Sequence, residues 1–165
     1  MLNRLFGNYL VNRGYLNPAQ LDDLLETITE YKAEPQTVIL VNKFLPLSQI
    51  RFIQQSQMQE ESFTEAALRL QLLTDNQIEQ IVQFQSLPVM CFAQLLLDKQ
   101  ILQTEDIMCV LADFQMYYQF TDEQLHVLCI DDMEQIIRIF VPFQNPRMHE
   151  LTVTLLQTIK RLIDK

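Results

Sequence analysis

The sequence predicts an all-α protein, an array of tandem helix–turn–helix repeats of about 29 residues followed by a C-terminal helical segment. Three observations predict it. An apolar anchor recurs as Leu16, Leu45, Leu73 and Leu102, at separations of 29, 28 and 29 residues. Helix-start signals follow several of these anchors directly. Only two glycines occur in 165 residues, which leaves nothing to build hairpins, a Gly-rich phosphate loop or a Rossmann turn.

The anchors align GYLNPAQLDDLL at 14–25 with KFLPLSQIRFIQ at 43–54, QLLTDNQIEQIV at 71–82 and QILQTEDIMCVL at 100–111. QFTDEQLHVLC at 119–129 is a weaker fifth copy with Phe120 as its anchor. Upstream, FGNYLVNR, FTEAALRL and FAQLLLDK place Phe6, Phe63 and Phe92 ten residues before Leu16, Leu73 and Leu102, so each repeat opens with its own amphipathic helix. The second copy has Pro35 where the Phe would stand, and its first helix is expected to be short or irregular. These limits give four hairpins, 4–32, 33–60, 61–87 and 88–116, and a helical extension over 117–165.

The second helix of each repeat begins with recognisable chemistry. Asn17 with Gln20, Thr74 with Gln77, and Thr121 with Gln124 have capping-box spacing, in which two side chains satisfy each other's free backbone donors. Pro18 then fills the first helical position, where a missing amide proton costs nothing. The pairs Leu16–Leu21, Leu73–Ile78 and Phe120–Leu125 bracket these caps as hydrophobic staples. Leu45–Ile50 and Leu102–Ile107 keep the staple although Pro46 and Gln103 are poor caps. Gly14 is placed to end the first helix in a left-handed turn. Lys43, Gln71 and Gln100 hold that place in the next three copies, where the chain either accepts the strain or turns differently. Beyond them, Asp131 or Asp132 opens a helix that closes before Pro142. Asn145 and Pro146 start another, with Leu151, Leu155, Ile159, Leu162 and Ile163 along one stripe. That last helix either docks on the array, leads into a further domain or joins two copies of the chain.

Charge and composition narrow the function classes. Twelve basic against 21 acidic residues, net −9, argue against a nucleic-acid polymer or an anionic membrane as partner. No apolar run reaches about 18 residues and no secretory leader is recognisable, so the expected location is the cytoplasm without membrane insertion. Cys91, Cys109 and Cys129 are odd in number, form no CxxC pair and fall among apolar neighbours, which reads as three small core side chains in a reducing compartment. His126 and His149 have no second ligand at metal spacing. The adjacent acids Asp22–Asp23, Glu60–Glu61 and Asp131–Asp132 read as solvated charge or helix capping, since neighbours on a helix point about 100° apart. The chain is therefore expected to be non-catalytic and to need no cofactor.

The opening stretch RLFGNYLVNRGYLNPAQL resembles the helical repeats at the N-terminus of bacterial type II secretion and type IV pilus ATPases, through Arg4, Leu5, Gly7, Leu10, Val11, Gly14, Gln20 and Leu21, with Phe6 inserted. Some members of that family bind cyclic di-GMP between two tandem motifs, so the resemblance implies a ligand role for Arg4, Gly7, Asn8 and Gly14. The later copies depart from the pattern: Glu61 and Met90 stand where Arg4 does, and Thr64 and Ala93 where Gly7 does. Taken whole, and above all in FTDEQLHVLCIDDMEQIIRIFVPF with LTVTLLQTIKRLID, the chain resembles the helical N-terminal region of bacterial CheX-like chemotaxis proteins. That resemblance implies a phosphatase domain of the CheC/CheX type downstream. Its Glu-x-x-Asn signature is missing from this sequence, which would make the chain the non-catalytic part.

Three functions follow as expectations. The first is an interaction or adaptor module of bacterial signalling, bound to signalling or motility proteins. The second is a cyclic di-GMP sensor. The third is the N-terminal fragment of a response-regulator phosphatase.

Overall fold

The computed structural model describes residues 2–28 and 31–130, together with Gln135. Its helices are α1 (Leu2–Asn12), α2 (Pro18–Thr27), α3 (Pro35–Val41), α4 (Leu47–Ser56), α5 (Phe63–Arg69), α6 (Asp75–Phe84), α7 (Pro88–Asp98), α8 (Thr104–Tyr118) and α9 (Asp122–Ile130). No strand occurs among the described residues, and the fold class is all-α. Apart from Gln135, the helices expected around 131–143 and 145–165 lie outside the described residues, as do His149, Asp131 and Asp132.

One turn geometry ends α1, α3, α5, α7 and α8. Gly14, Lys43, Gln71, Gln100 and Gln119 all have left-handed backbone, with φ of 80°, 57°, 56°, 55° and 58°. At each, the amide of the next residue reaches back five positions and the left-handed residue reaches back three: Leu72 to the Ala67 carbonyl at 3.0 Å and Gln71 to Leu68 at 2.9 Å, for example. This is the Schellman arrangement, which satisfies the last carbonyls of a helix and turns the chain sharply. Lys43, Gln71 and Gln100 thus turn as Gly14 does and carry the side-chain strain that glycine avoids. At the fifth turn the anchor Phe120 follows its left-handed residue directly, where the others leave one residue between. All five anchors, Leu16, Leu45, Leu73, Leu102 and Phe120, are buried.

The helix starts follow the sequence pattern. Asn17 with Gln20, Thr74 with Gln77 and Thr121 with Gln124 each form the reciprocal pair of bonds. Pro46 makes no side-chain cap bond. A fourth box, Ser62 with Glu65, opens α5. Helix α3 opens on Pro35 and is short, at 7 residues, but α5 is as short without a proline and α7 opens on Pro88 and runs for 11, so the proline does not set the length.

The chain forms two compact units, one of Met1–Glu26 with the chain from Cys109 onward, the other of Thr27–Met108. The core of the first is aromatic. Phe6 and Tyr9 of α1 meet the Phe114 ring of α8 edge-on, with centroids 5.0 and 5.4 Å away. Phe114 in turn contacts Tyr118 at 5.2 Å and Phe120 at 5.7 Å. Helix α1 is therefore packed directly on α8.

In the second unit α7 is the central helix. Every residue from Val89 to Leu96 is buried, as expected of a helix that is apolar all round. The short α3 packs on α5, α6 and α7. Ala33 and Gln85 exchange two hydrogen bonds, the Ala33 amide to the Gln85 carbonyl at 2.9 Å and the Gln85 Nε2 to the Ala33 carbonyl at 2.8 Å, which hold the approach to α3 against the end of α6. Among the described residues no single helix is long and apolar enough to cross a membrane, and α6 and α7, which reach that length only together, are bent by 80°.

Candidate functional site

Arg4, Gly7 and Asn8 lie on one side of α1, at the three- and four-residue spacing that makes helix neighbours. Arg4 is exposed and Asn8 half-buried, whereas Gly7 is buried. A Cβ on Gly7 would stand 2.2 Å from Cδ1 of Leu21, so the absent side chain makes room for α2. Gly14 has nothing within 4 Å of its Cβ position, and it is backbone conformation that calls for glycine there. Arg13, next to it, lies over the rings of Tyr9 and Tyr117, 5.3 and 5.8 Å from their centroids.

Two readings of individual residues change. Cys91 is buried, donates to the Tyr31 carbonyl at 3.0 Å, and has its thiol pKa pushed up by burial. Cys109, expected in the core, is exposed: Ile107, Val110 and Phe114 face inward at helical spacing and leave Cys109 on the far side of α8. The side chains of Cys129 and His126 lie outside the described residues. Glu61, expected to be solvated charge or a helix cap, is instead gripped by Arg69, whose Nε and a terminal nitrogen each donate to one carboxylate oxygen at 2.8 Å. The Met58 amide adds a third bond at 2.9 Å. Arg69's hydrogen bonds, then that amide, lower the Glu61 pKa from its ordinary 4.5 to about 2. Arg69 also donates to the Ser56 carbonyl at 2.8 Å, so the pair fastens the end of α4 to α5.

The feature that the sequence did not reveal is a cavity of about 290 Å³ in the second unit, lined from α3, α4, α7 and the start of α8. A polar chain runs from buried Thr37 and Gln94 out to the exposed Asp98. Thr37 Oγ1 donates to Gln94 Oε1 at 2.5 Å, the Glu34 amide donates to the same oxygen at 3.1 Å, and Gln94 Nε2 donates to Asp98 Oδ1 at 2.9 Å. The Tyr31 hydroxyl donates to the other Asp98 oxygen. That bond, together with desolvation and the nearby negative charge of Asp98 and Glu34, raises the Tyr31 pKa. Gln36 also lines the cavity, and its Oε1 is buried without a hydrogen-bond partner. Leu40, Leu47, Ile50 and Leu97 also line it, together with the exposed Arg51–Glu105 ion pair. A smaller adjoining hollow shares Glu34, Gln94 and Asp98 and adds Tyr31 and Lys32. The one legible signal was Gln94 itself, an amide inside the apolar run VMCFAQLLL, with Asp98 one turn on.

Large apolar side chains also remain outside the core. Phe52 and Met58 are 52% and 62% exposed, and Met116 on α8 is 74% exposed, with Tyr15 and Tyr117 less so. Among the described residues no group of three or more His, Cys, Asp or Glu is placed to hold a metal ion. No protein-family model, no curated protein and no solved structure matches the chain.

Proposed function

We propose that the chain is a non-catalytic interaction module of bacterial signal transduction, built from tandem helix–turn–helix units and docking on a signalling or motility protein in the cytoplasm. The observation that carries this reading is the exposure of Phe52, Met58 and Met116 on a chain of net charge −9. Aromatic residues and Met are enriched at the centres of protein interfaces, where acidic residues are depleted, and a partner would cover the apolar area that water now faces. The similarity to CheX-like chemotaxis proteins supports the choice of pathway. The test is a photo-crosslinking residue placed singly at Phe52, Met58 and Met116, with Asp75 as the control position, in the native cell. Capture of the same protein from at least one apolar position and not from Asp75, and its loss when Phe52 and Met58 are both exchanged for Ser, is the expected result. Equal capture from all positions, or none, contradicts the reading.

The exposure of Arg4, one helical turn from Asn8, favours a second reading, in which this edge of α1 holds cyclic di-GMP. The ligand would then meet Arg4 and Asn8 without close approach at Gly7, where Leu21 fills the space.

A further inference from the structure

We propose that a hollow between the α3–α4 turn and the start of α8 binds a free medium-chain alkyl carboxylate, its chain in the hollow and its carboxylate at Lys43. This ligand is separate from the partner assigned to Phe52, Met58 and Met116, none of which lines the hollow.

The hollow has a volume of about 360 Å³ and lies within the second unit. Leu40, Leu45, Pro46, Leu47 and Met108 line it, Leu40 and Leu45 buried, Leu47 and Met108 half-buried. Mostly apolar walls with few polar groups are the composition of a site for an apolar chain. One turn supplies most of them: α3 ends on Val41, the left-handed Lys43 reverses the chain, Leu45 returns to the core and Leu47 opens α4.

Charge selects the head group. Lys43 is exposed, is the only cation lining the hollow, and its side chain makes no ion pair or hydrogen bond among the described residues. Glu105 is the only carboxylate lining it and is already paired with Arg51. An unpaired ammonium beside a neutralised carboxylate favours an anion over an amine. The Thr104 hydroxyl, which also lines the hollow, is a second group able to donate to a carboxylate. A small inorganic anion would leave the apolar lining in water, and a hydrocarbon would make no use of Lys43. A chain of net −9 has no general attraction for anions, so carboxylate binding here has to be local. None of the large apolar side chains exposed elsewhere lines the hollow, so a protein would find no wider apolar face to seat on, and the occupant is a free ligand.

The test is titration calorimetry of the full chain with hexanoate, octanoate and decanoate, and with octanol as the uncharged comparison, repeated with Lys43→Gln and Met108→Trp. Glutamine holds the same left-handed position at Gln71 and Gln100, so Lys43→Gln removes the charge and keeps a side chain that this turn accepts. Saturable binding of the carboxylates is expected, tightening about fourfold for each added methylene. Lys43→Gln should weaken octanoate about fivefold and leave octanol unchanged, and Met108→Trp, which fills the hollow, should abolish binding of both. Circular dichroism checks folding; should Met108→Trp not fold, the chain-length series reads burial of the alkyl chain in its place. Absence of saturation with decanoate, an affinity indifferent to chain length, or a Lys43→Gln variant that binds octanoate as the parent does or weakens octanol equally, overturns the proposal.

Discussion

Gly14, Gln71 and Gln100 share one left-handed backbone conformation, which suits glycine and strains glutamine. Exchanging Gly14 for Ala puts a Cβ into left-handed backbone and is expected to lower stability by about 1 kcal/mol, partly offset by the stiffer unfolded chain. The converse change, Gln71→Gly or Gln100→Gly, relieves the same strain and is expected to raise stability by about 0.5 kcal/mol each, as urea denaturation midpoints would reveal. Opposite signs at equivalent positions separate a conformational effect from lost contacts. Glu61 carries a pH dependence whose sign follows from its lowered pKa. It binds fewer protons folded than unfolded, so its contribution is complete above about pH 4.5 and fades as the pH falls toward about 2. Thermal melts of the parent should therefore lose stability across that window more steeply than those of Glu61→Gln, and parallel curves would show that the Arg69 clasp adds nothing. At this scale the sequence was partly legible. Glycine announces a left-handed turn, but Lys and Gln do not, since the backbone there is imposed by the hydrogen bonds that return each anchor to the core. Glu61 was misread because Arg69 lies eight residues away, beyond the spacing at which helix neighbours are recognised.

The helices themselves were more legible, because caps and staples are local. The boxes at Asn17, Thr74 and Thr121 formed as their spacing implied, whereas Ser62 with Glu65 escaped notice because it opens a first helix and not a second. Thr74→Ala is expected to cost about 1 kcal/mol through loss of the α6 cap. A sharper test concerns the contact between α1 and α2. Gly7→Ala gains about 1 kcal/mol of helix propensity but drives its methyl into the buried Leu21, and overpacking of that kind costs about 1–3 kcal/mol. The net change should be destabilising in the parent and stabilising once Leu21→Ala has opened the space. A double-mutant cycle in urea would measure that reversal, and additivity of the two changes would show that Gly7 does not serve the packing of α2.

For the molecule as a whole, the all-helical class could be read from periodicity and the scarcity of glycine, but the cavity could not. It joins Thr37 to Gln94 across 57 residues and Arg51 to Glu105 across 54, and no local pattern records which helices will meet. The same holds for the aromatic core of the first unit, where Phe6 finds Phe114. Long-range placement also explains the exposed Cys109, since the inward side of α8 was set by partners elsewhere in the chain. In these placements Gly7 makes room for Leu21 and Gly14 takes a left-handed turn, and the proposed function assigns recognition to the outward-facing apolar side chains instead. Titration calorimetry with cyclic di-GMP, on the parent and on Arg4→Ala, tests that division most directly. No saturating heat in either protein is the expected result. Saturating heat in the parent that vanishes with Arg4→Ala would contradict it and make the edge of α1 a second-messenger site.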